Sequence, residues 1–185
     1  KIFQSPYDPE FKFEYYDNGQ IKSKSTINQG WGNGVFSLWY ENGQIKHEKN
    51  LKNNKLDGKF TEWYENGQKK REINTKDGKK DGKGTWWYEN GQINSQGSFK
   101  NNKEDGMLTF WYENGQIKQE GNYRLGNEYG KWTWWYENGQ IKHEGGYKFG
   151  KKDGKFTEWD ELAQIKSESI WKDGECISGD CNRKK

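Results

Sequence analysis

Trp63-Tyr64-Glu65-Asn66-Gly67-Gln68 is one of five intact copies of one hexapeptide; the others occupy Trp39–Gln44, Trp87–Gln92, Trp111–Gln116 and Trp135–Gln140. Tyr15-Tyr16-Asp17-Asn18-Gly19-Gln20 is a softened copy, and Trp159-Asp160-Glu161-Leu162-Ala163-Gln164 a decayed one. All seven keep a step of 24 residues without an insertion. A fixed period of this size is the mark of a repeat architecture, in which each unit buries its apolar surface only by stacking on its neighbours.

Asn-Gly between two runs of β-formers predicts a type I′ hairpin turn, in which both residues take positive φ. In the unit that begins at Gly58, Lys59–Tyr64 leads into the turn and Gln68–Asn74 leads out of it. A second turn closes each unit, as at Asn53–Gly58 or Phe149–Gly154. Each repeat is thus two short strands, and the fold class is all-β: an elongated, twisted antiparallel β-meander of about seven 24-residue hairpin repeats, with about fourteen strands. At the usual strand spacing a repeat advances ~9.6 Å and seven span very roughly 65 Å. Residues 1–9 form a lead-in that holds both prolines, 10–177 the repeats as a single domain, and 178–185 a tail. The absence of proline after Pro9 suits a continuous ladder, because proline cannot donate to it.

A two-residue turn at Asn66-Gly67 sets Tyr64 opposite Lys69, Trp63 opposite Lys70, Thr61 opposite Glu72 and Phe60 opposite Ile73. Alternation then places Trp63, Thr61, Lys70 and Glu72 on one face, and Tyr64, Phe60, Lys69 and Ile73 on the other. The second face collects the tyrosines, the isoleucines Ile21, Ile45, Ile93, Ile117, Ile141 and Ile165, and bulky residues such as Leu108, Trp132 and Phe156. Gly97, Gly121 and Gly145 lie opposite those bulky residues and make room for them. This face is the expected core.

The other face carries Trp39, Trp63, Trp87, Trp111 and Trp135 as a stripe, with Lys22, Lys46, Lys70, Lys118, Lys142 and Lys166 on the neighbouring strand and within reach of the indoles as cation–π partners. The stripe has two readings, a structural ladder or an aromatic platform for a partner. If the chain binds something, these tryptophans are the candidate binding residues.

Leu, Ile, Val and Phe make only 27 of 185 residues, yet the net charge is +3 and 17% of residues are aromatic, so the chain folds around aromatics. The 31 basic and 28 acidic residues are interleaved, which argues against a nucleic-acid partner. His47 and His143 stand four repeats apart and read as surface variants. The glutamate rows, such as Glu48, Glu72 and Glu120, recur on every hairpin and pair with lysines, whereas glycosidase chemistry needs one distinctive pair of carboxylates. The Asp57, Asp81, Asp105 and Asp153 series supplies about one oxygen per turn, too few for calcium. No single-copy catalytic constellation emerges. The expectation is a non-enzyme with no cofactor and no metal.

Cys176 and Cys181 lie beyond the last hexapeptide. In an exporting context they close a small disulfide loop, and in a reducing cytosol they are two thiols. Numbering that starts at Lys1 is compatible with a trimmed leader, in which case export to the cell envelope is favoured.

The Tyr-Glu-Asn-Gly-Gln hairpins with their Asp-Gly second turns resemble the MORN repeat, in particular its bacterial variant. That resemblance implies a β-hairpin array that scaffolds protein–protein contacts, with antitoxin-type members binding a toxin protein. It also implies contact with anionic membrane surfaces, for which the second-turn lysines Lys52, Lys55, Lys79, Lys80, Lys151 and Lys152 are candidates. Similar repeats travel under a phosphatidylinositol-4-phosphate 5-kinase label, but a kinase-type residue set is missing from this sequence. A cell-wall glycan binder, as in other Trp/Tyr-rich hairpin repeats, is a further alternative.

Overall fold

The computed structural model describes residues 10–27 and 32–181. The lead-in Lys1–Pro9, the start of the first closing turn at Gly30-Trp31 and the last residues of the tail lie outside the described residues. The chain divides into two compact units, Lys1–Gly91 and Gln92–Lys185. Among the described residues each unit is built of antiparallel strands, paired within the unit in sequence order.

In the first unit the strands are β1 (Glu10–Tyr15), β2 (Ile21–Ile27), β3 (Gly34–Trp39), β4 (Ile45–Lys52), β5 (Lys55–Trp63), β6 (Lys69–Lys76) and β7 (Lys79–Trp87). In the second they are β8 (Ile93–Lys100), β9 (Lys103–Trp111), β10 (Ile117–Arg124), β11 (Asn127–Trp135), β12 (Ile141–Lys148), β13 (Lys151–Trp159), β14 (Ile165–Lys172) and β15 (Glu175–Gly179). The expected fourteen strands are all present, and β15 is an addition. It is made by residues past the seventh hairpin and pairs with β14 from Ser169↔Gly179 to Lys172↔Glu175.

The two kinds of turn are exchanged relative to expectation. At the Asn-Gly hairpins the Gly67 amide donates to the Tyr64 carbonyl (3.0 Å) and the Tyr64 amide to the Gln68 carbonyl (2.8 Å). Only the glycine has positive φ, 85° at Gly67. This is a three-residue loop, a type I turn followed by a left-handed glycine, and not type I′. The type I′ turns lie at the other end of each hairpin, where both loop residues have positive φ: Asn53-Asn54 (51°, 61°), Asp77-Gly78 (50°, 82°) and Asn101-Asn102 (50°, 70°). Asp57-Gly58, expected to be part of that turn, instead forms a bulge within β5. There Leu51 pairs Leu56 and Lys49 pairs Phe60, while Gly58 takes φ 108°.

Burial is shared between the two faces. On one, Ile73, Phe99, Leu108, Trp132 (2% exposed) and Phe156 are buried. Gly97, Gly121 and Gly145 do lie opposite Leu108, Trp132 and Phe156, and a Cβ at Gly121 would overlap the Trp132 ring. On the other face a row of small hydroxyl residues is buried: Ser37, Thr61 and Thr85 in the first unit, Thr109, Thr133 and Thr157 in the second. Their β-branched or small side chains sit deep between larger neighbours, which suits a pleated surface.

Candidate functional site

The three-residue loop adds one residue on the Gln68 side, so Trp63 pairs Lys69. Lys70 is then skipped by a bulge, and from Glu62↔Arg71 through Thr61↔Glu72 to Phe60↔Ile73 the register is the one a two-residue turn would give. The two shifts cancel. Between them, however, Lys69 and Lys70 have changed faces. Lys69 bonds Glu72 at 2.8 Å on the tryptophan face, whereas Lys70 bonds Glu62 at 3.4 Å on the opposite one.

The same exchange recurs in both units, and it corrects two expectations. The first concerns the isoleucines, which leave the tyrosine face and pair with the stripe: Tyr15↔Ile21 and Trp39↔Ile45 in the first unit, Trp111↔Ile117, Trp135↔Ile141 and Trp159↔Ile165 in the second. The second concerns the lysines expected over indoles, which lie over the tyrosine of their own turn: Lys22 over Tyr16 (5.7 Å), Lys46 over Tyr40 (5.2 Å), Lys70 over Tyr64 (5.6 Å), Lys118 over Tyr112 (5.5 Å) and Lys142 over Tyr136 (5.4 Å). Lys69, which replaces isoleucine in one repeat, does lie over an indole, that of Trp87 at 5.6 Å.

Each unit therefore bears a ladder of apolar cross-strand pairs. Trp39, Trp63, Trp87, Trp111 and Trp135 all end their strands on this face, and all are half-buried. Ile141 and Ile165 beside them are exposed. The buried serine or threonine row forms the floor, and ion pairs flank it: Lys59–Glu72 (3.1 Å), Lys131–Glu144 (2.6 Å) and Lys155–Glu168 (2.5 Å). Hydrogen bonds from Lys69 first, and also from Lys59, hold the Glu72 carboxyl below the usual carboxylate range.

Tyrosine is more than a core residue. Its hydroxyl donates to the carbonyl of the next repeat's tryptophan, from Tyr40 to Trp63 (2.9 Å), Tyr64 to Trp87 (2.9 Å), Tyr112 to Trp135 (2.7 Å) and Tyr136 to Trp159 (2.9 Å). Asn66 accepts from the Gln68 amide (2.9 Å) and donates to the Glu89 carbonyl of the next turn (3.0 Å). Thus the tryptophan backbone is anchored by the repeat before it, while its ring faces outward over the threonine row.

The two histidines are not loose surface groups. His47 sits between Phe36 and Phe60, 6.0 Å from each ring, and burial first, then Lys49, pushes its pKa down. His143 stacks on Trp134 at 4.1 Å. Among the described residues no group of three His, Cys, Asp or Glu side chains is placed to hold a metal ion. Asp57 and Asp153 serve the stack: each accepts the amide of the next repeat's turn, Asp77 at 3.2 Å and Asp173 at 3.3 Å. Cys176 and Cys181 are joined in a disulfide.

Fold and site together define a β-hairpin repeat protein in which tyrosine, asparagine and aspartate side chains link successive repeats. The model of the MORN repeat variant matches six times, at residues 12–29, 33–53, 56–77, 80–101, 104–124 and 128–149, and the chain belongs to this family. Repeats of this kind are in general non-catalytic modules that bind membranes or proteins. The matches end before the hairpin whose Asn-Gly has become Leu162-Ala163. Comparison with curated proteins finds no match.

Proposed function

We propose that the chain is a non-catalytic scaffold and that the Trp–Ile ladder is its protein-binding surface. One observation carries this reading: the bulge after the hairpin loop turns isoleucine, not the following lysine, toward Trp39, Trp111, Trp135 and Trp159, with Lys69 beside Trp63 as the exception, so the face is apolar at both members of those four pairs. Tryptophan in an apolar patch with a polar rim is the composition of interaction hot spots. A partner protein suits it, including a toxin of the kind that antitoxin-type repeat proteins bind. The second-turn lysines are less suited to an extended anionic membrane surface, since Asp57, Asp105 and Asp153 recur among them and Lys172 at the same edge is bonded to Asp153 (3.3 Å).

The test separates binding from folding by using the exposed members of the ladder. Ile141→Asp with Ile165→Asp should leave the melting temperature within a few degrees of the parent. Cross-linked capture of the protein partner should fall by ten-fold or more, a loss of about 1.4 kcal/mol or above. Capture that survives the double substitution, or retention on anionic vesicles that the substitution does not touch, would remove this assignment.

A further inference from the structure

Where a repeat array departs from its own pattern, the departure asks for a reason, and the type I′ turns of the second unit depart twice. Their first residue is Asn53, Asp77, Asn101 or Asp173 elsewhere, residue types that tolerate the left-handed conformation. In the β10–β11 turn it is Leu125 at φ 53°, and in the β12–β13 turn Phe149 at φ 51°. Both are 63% exposed. Large apolar residues held in a disfavoured backbone conformation, and then shown to solvent, serve the fold worse than asparagine would, and such strain concentrates where function retains it.

A third departure is matched to the second. Tyr129 stands where Asp57, Asp105 and Asp153 stand in other repeats. Asp153 accepts the amide of the next turn's first residue. Tyr129 instead sets its ring against Phe149, at 6.3 Å and 60°. The polar link between successive turns is replaced here by an edge-on aromatic contact. Arg124 covers the same tyrosine at 5.7 Å.

From these residues we infer that Leu125 and Phe149 form a two-pronged docking edge for an amphipathic helix of a protein partner, one with an apolar stripe flanked by carboxylates. The prongs belong to turns two strands apart, about 10 Å at ordinary strand spacing. Seven residues of α-helix rise about the same distance, so the prongs meet successive holes of one helical stripe. Lys103, Arg124, Lys148 and Lys151 stand at the strand ends beside the prongs, outnumber Glu104 and Glu128 next to them, and supply the complementary charge. A bilayer fits less well, because the same turn edge carries Asp105, Asp153, Asp173 and Glu175, which an extended anionic surface would also meet. This edge is separate from the Trp–Ile ladder.

Fluorescence anisotropy tests it with labelled helical peptides of about 20 residues carrying a leucine stripe, flanked by glutamates in one and by lysines in the other. The glutamate peptide should bind the full chain, and the lysine peptide at least about ten-fold more weakly. Leu125→Asn with Phe149→Asp, which installs the residue types other repeats use, should keep or raise the melting temperature and weaken the glutamate peptide about ten-fold. Ile141→Asp with Ile165→Asp should leave that peptide's binding unchanged, which keeps this edge distinct from the ladder. Equal binding by the prong variant, no preference for the glutamate peptide, no binding at all, or prong-dependent binding only to vesicles of phosphatidylcholine and phosphatidylglycerol would each overturn the inference.

Discussion

Gly67 and Gly91 show how much one position of the loop carries. Each has φ near 85°, and a Cβ there would stand 2.9 Å from Gln44 Oε1 and 2.6 Å from Gln68 Oε1, the glutamine of the preceding repeat. Gly67→Ala is therefore expected to cost about 1–3 kcal/mol, from left-handed strain and displacement of Gln44 together, read by urea unfolding. In the seventh hairpin the same position is Ala163 at φ 60°, with the loop otherwise intact: the Ala163 amide still reaches the Asp160 carbonyl at 3.0 Å. Ala163→Gly relieves the strain and should stabilise by roughly 0.5–1 kcal/mol, less what the looser unfolded chain takes back. Equal stability of the two proteins would mean that this terminal loop already relaxes by fraying.

At the scale of strands, β15 and its disulfide guard the edge of β14. β14 runs past the last pair with β15, so the backbone of Glu168 would be bare. Asp180 covers it: its amide donates to the Glu168 carbonyl (2.8 Å) and its carboxylate accepts from the Glu168 amide (3.4 Å). Cys176–Cys181 closes this loop across a sequence separation of five. By the chain-entropy argument a loop this short contributes roughly 2 kcal/mol. Cys176→Ser with Cys181→Ser should lower stability by about that amount and speed amide exchange at Glu168 before that of the β9–β10 strands, as read by hydrogen exchange. Protection at Glu168 unchanged by the substitutions would show that Asp180 holds the edge alone.

The strands also show what a sequence can and cannot yield. Repeat length, strand pairing and the Phe60↔Ile73 register were legible, because Trp-Tyr-Glu-Asn-Gly-Gln recurs in step and its apolar residues alternate. The Trp–Ile face was not. Asn-Gly serves a two-residue type I′ turn and a type I turn with a left-handed glycine equally well, and the two differ by one residue. A bulge at Lys70 returns that residue, so every pair beyond Trp63 agrees with both readings. Only the two residues between the shifts reveal the difference, and they are the ones that decide which side chain faces the indole. Leu125, Phe149 and Tyr129 were visible as departures from the repeat, but their meaning depends on φ and exposure, which spacing alone does not give.

Over the whole chain, pH acts through groups that recur. Burial pushes the hydroxyls of Tyr40, Tyr112, Tyr123 and Tyr147 above their ordinary value of 10.0. The folded state thus favours the neutral phenol. Its contribution is complete below the unfolded value and is lost as pH rises through the higher folded values. Glu72 works in the opposite sense: its lowered carboxyl contributes above the ordinary carboxylate range, and that contribution fades as pH falls. Melting temperature should fall steeply above about pH 10 as strut donors are lost, at about 1 kcal/mol for each neutral hydrogen bond. Tyr40→Phe with Tyr112→Phe should lower stability at pH 7 and flatten the alkaline limb; a limb of unchanged slope would place the titrating groups elsewhere.

The tyrosine, asparagine and aspartate struts between repeats share one direction. Tyr64 gives its proton to Trp87, Asn66 donates to Glu89, Gln68 presses on Gly91, and Asp57 waits for the amide of Asp77. In each unit these side chains reach to the hairpin that follows, while a backbone bond runs back to the one before: the Gly78 amide donates to the Leu56 carbonyl (2.8 Å) and the Gly126 amide to the Glu104 carbonyl (2.8 Å). An array built this way has a grain. A hairpin removed from the trailing side leaves a phenol, an amide and a carboxylate reaching into water, whereas one removed from the leading side leaves a single turn amide without its carbonyl. During synthesis the same grain means that each hairpin's side-chain struts are completed by its successor, while beyond the seventh hairpin β15 and Asp180 cover the edge of β14.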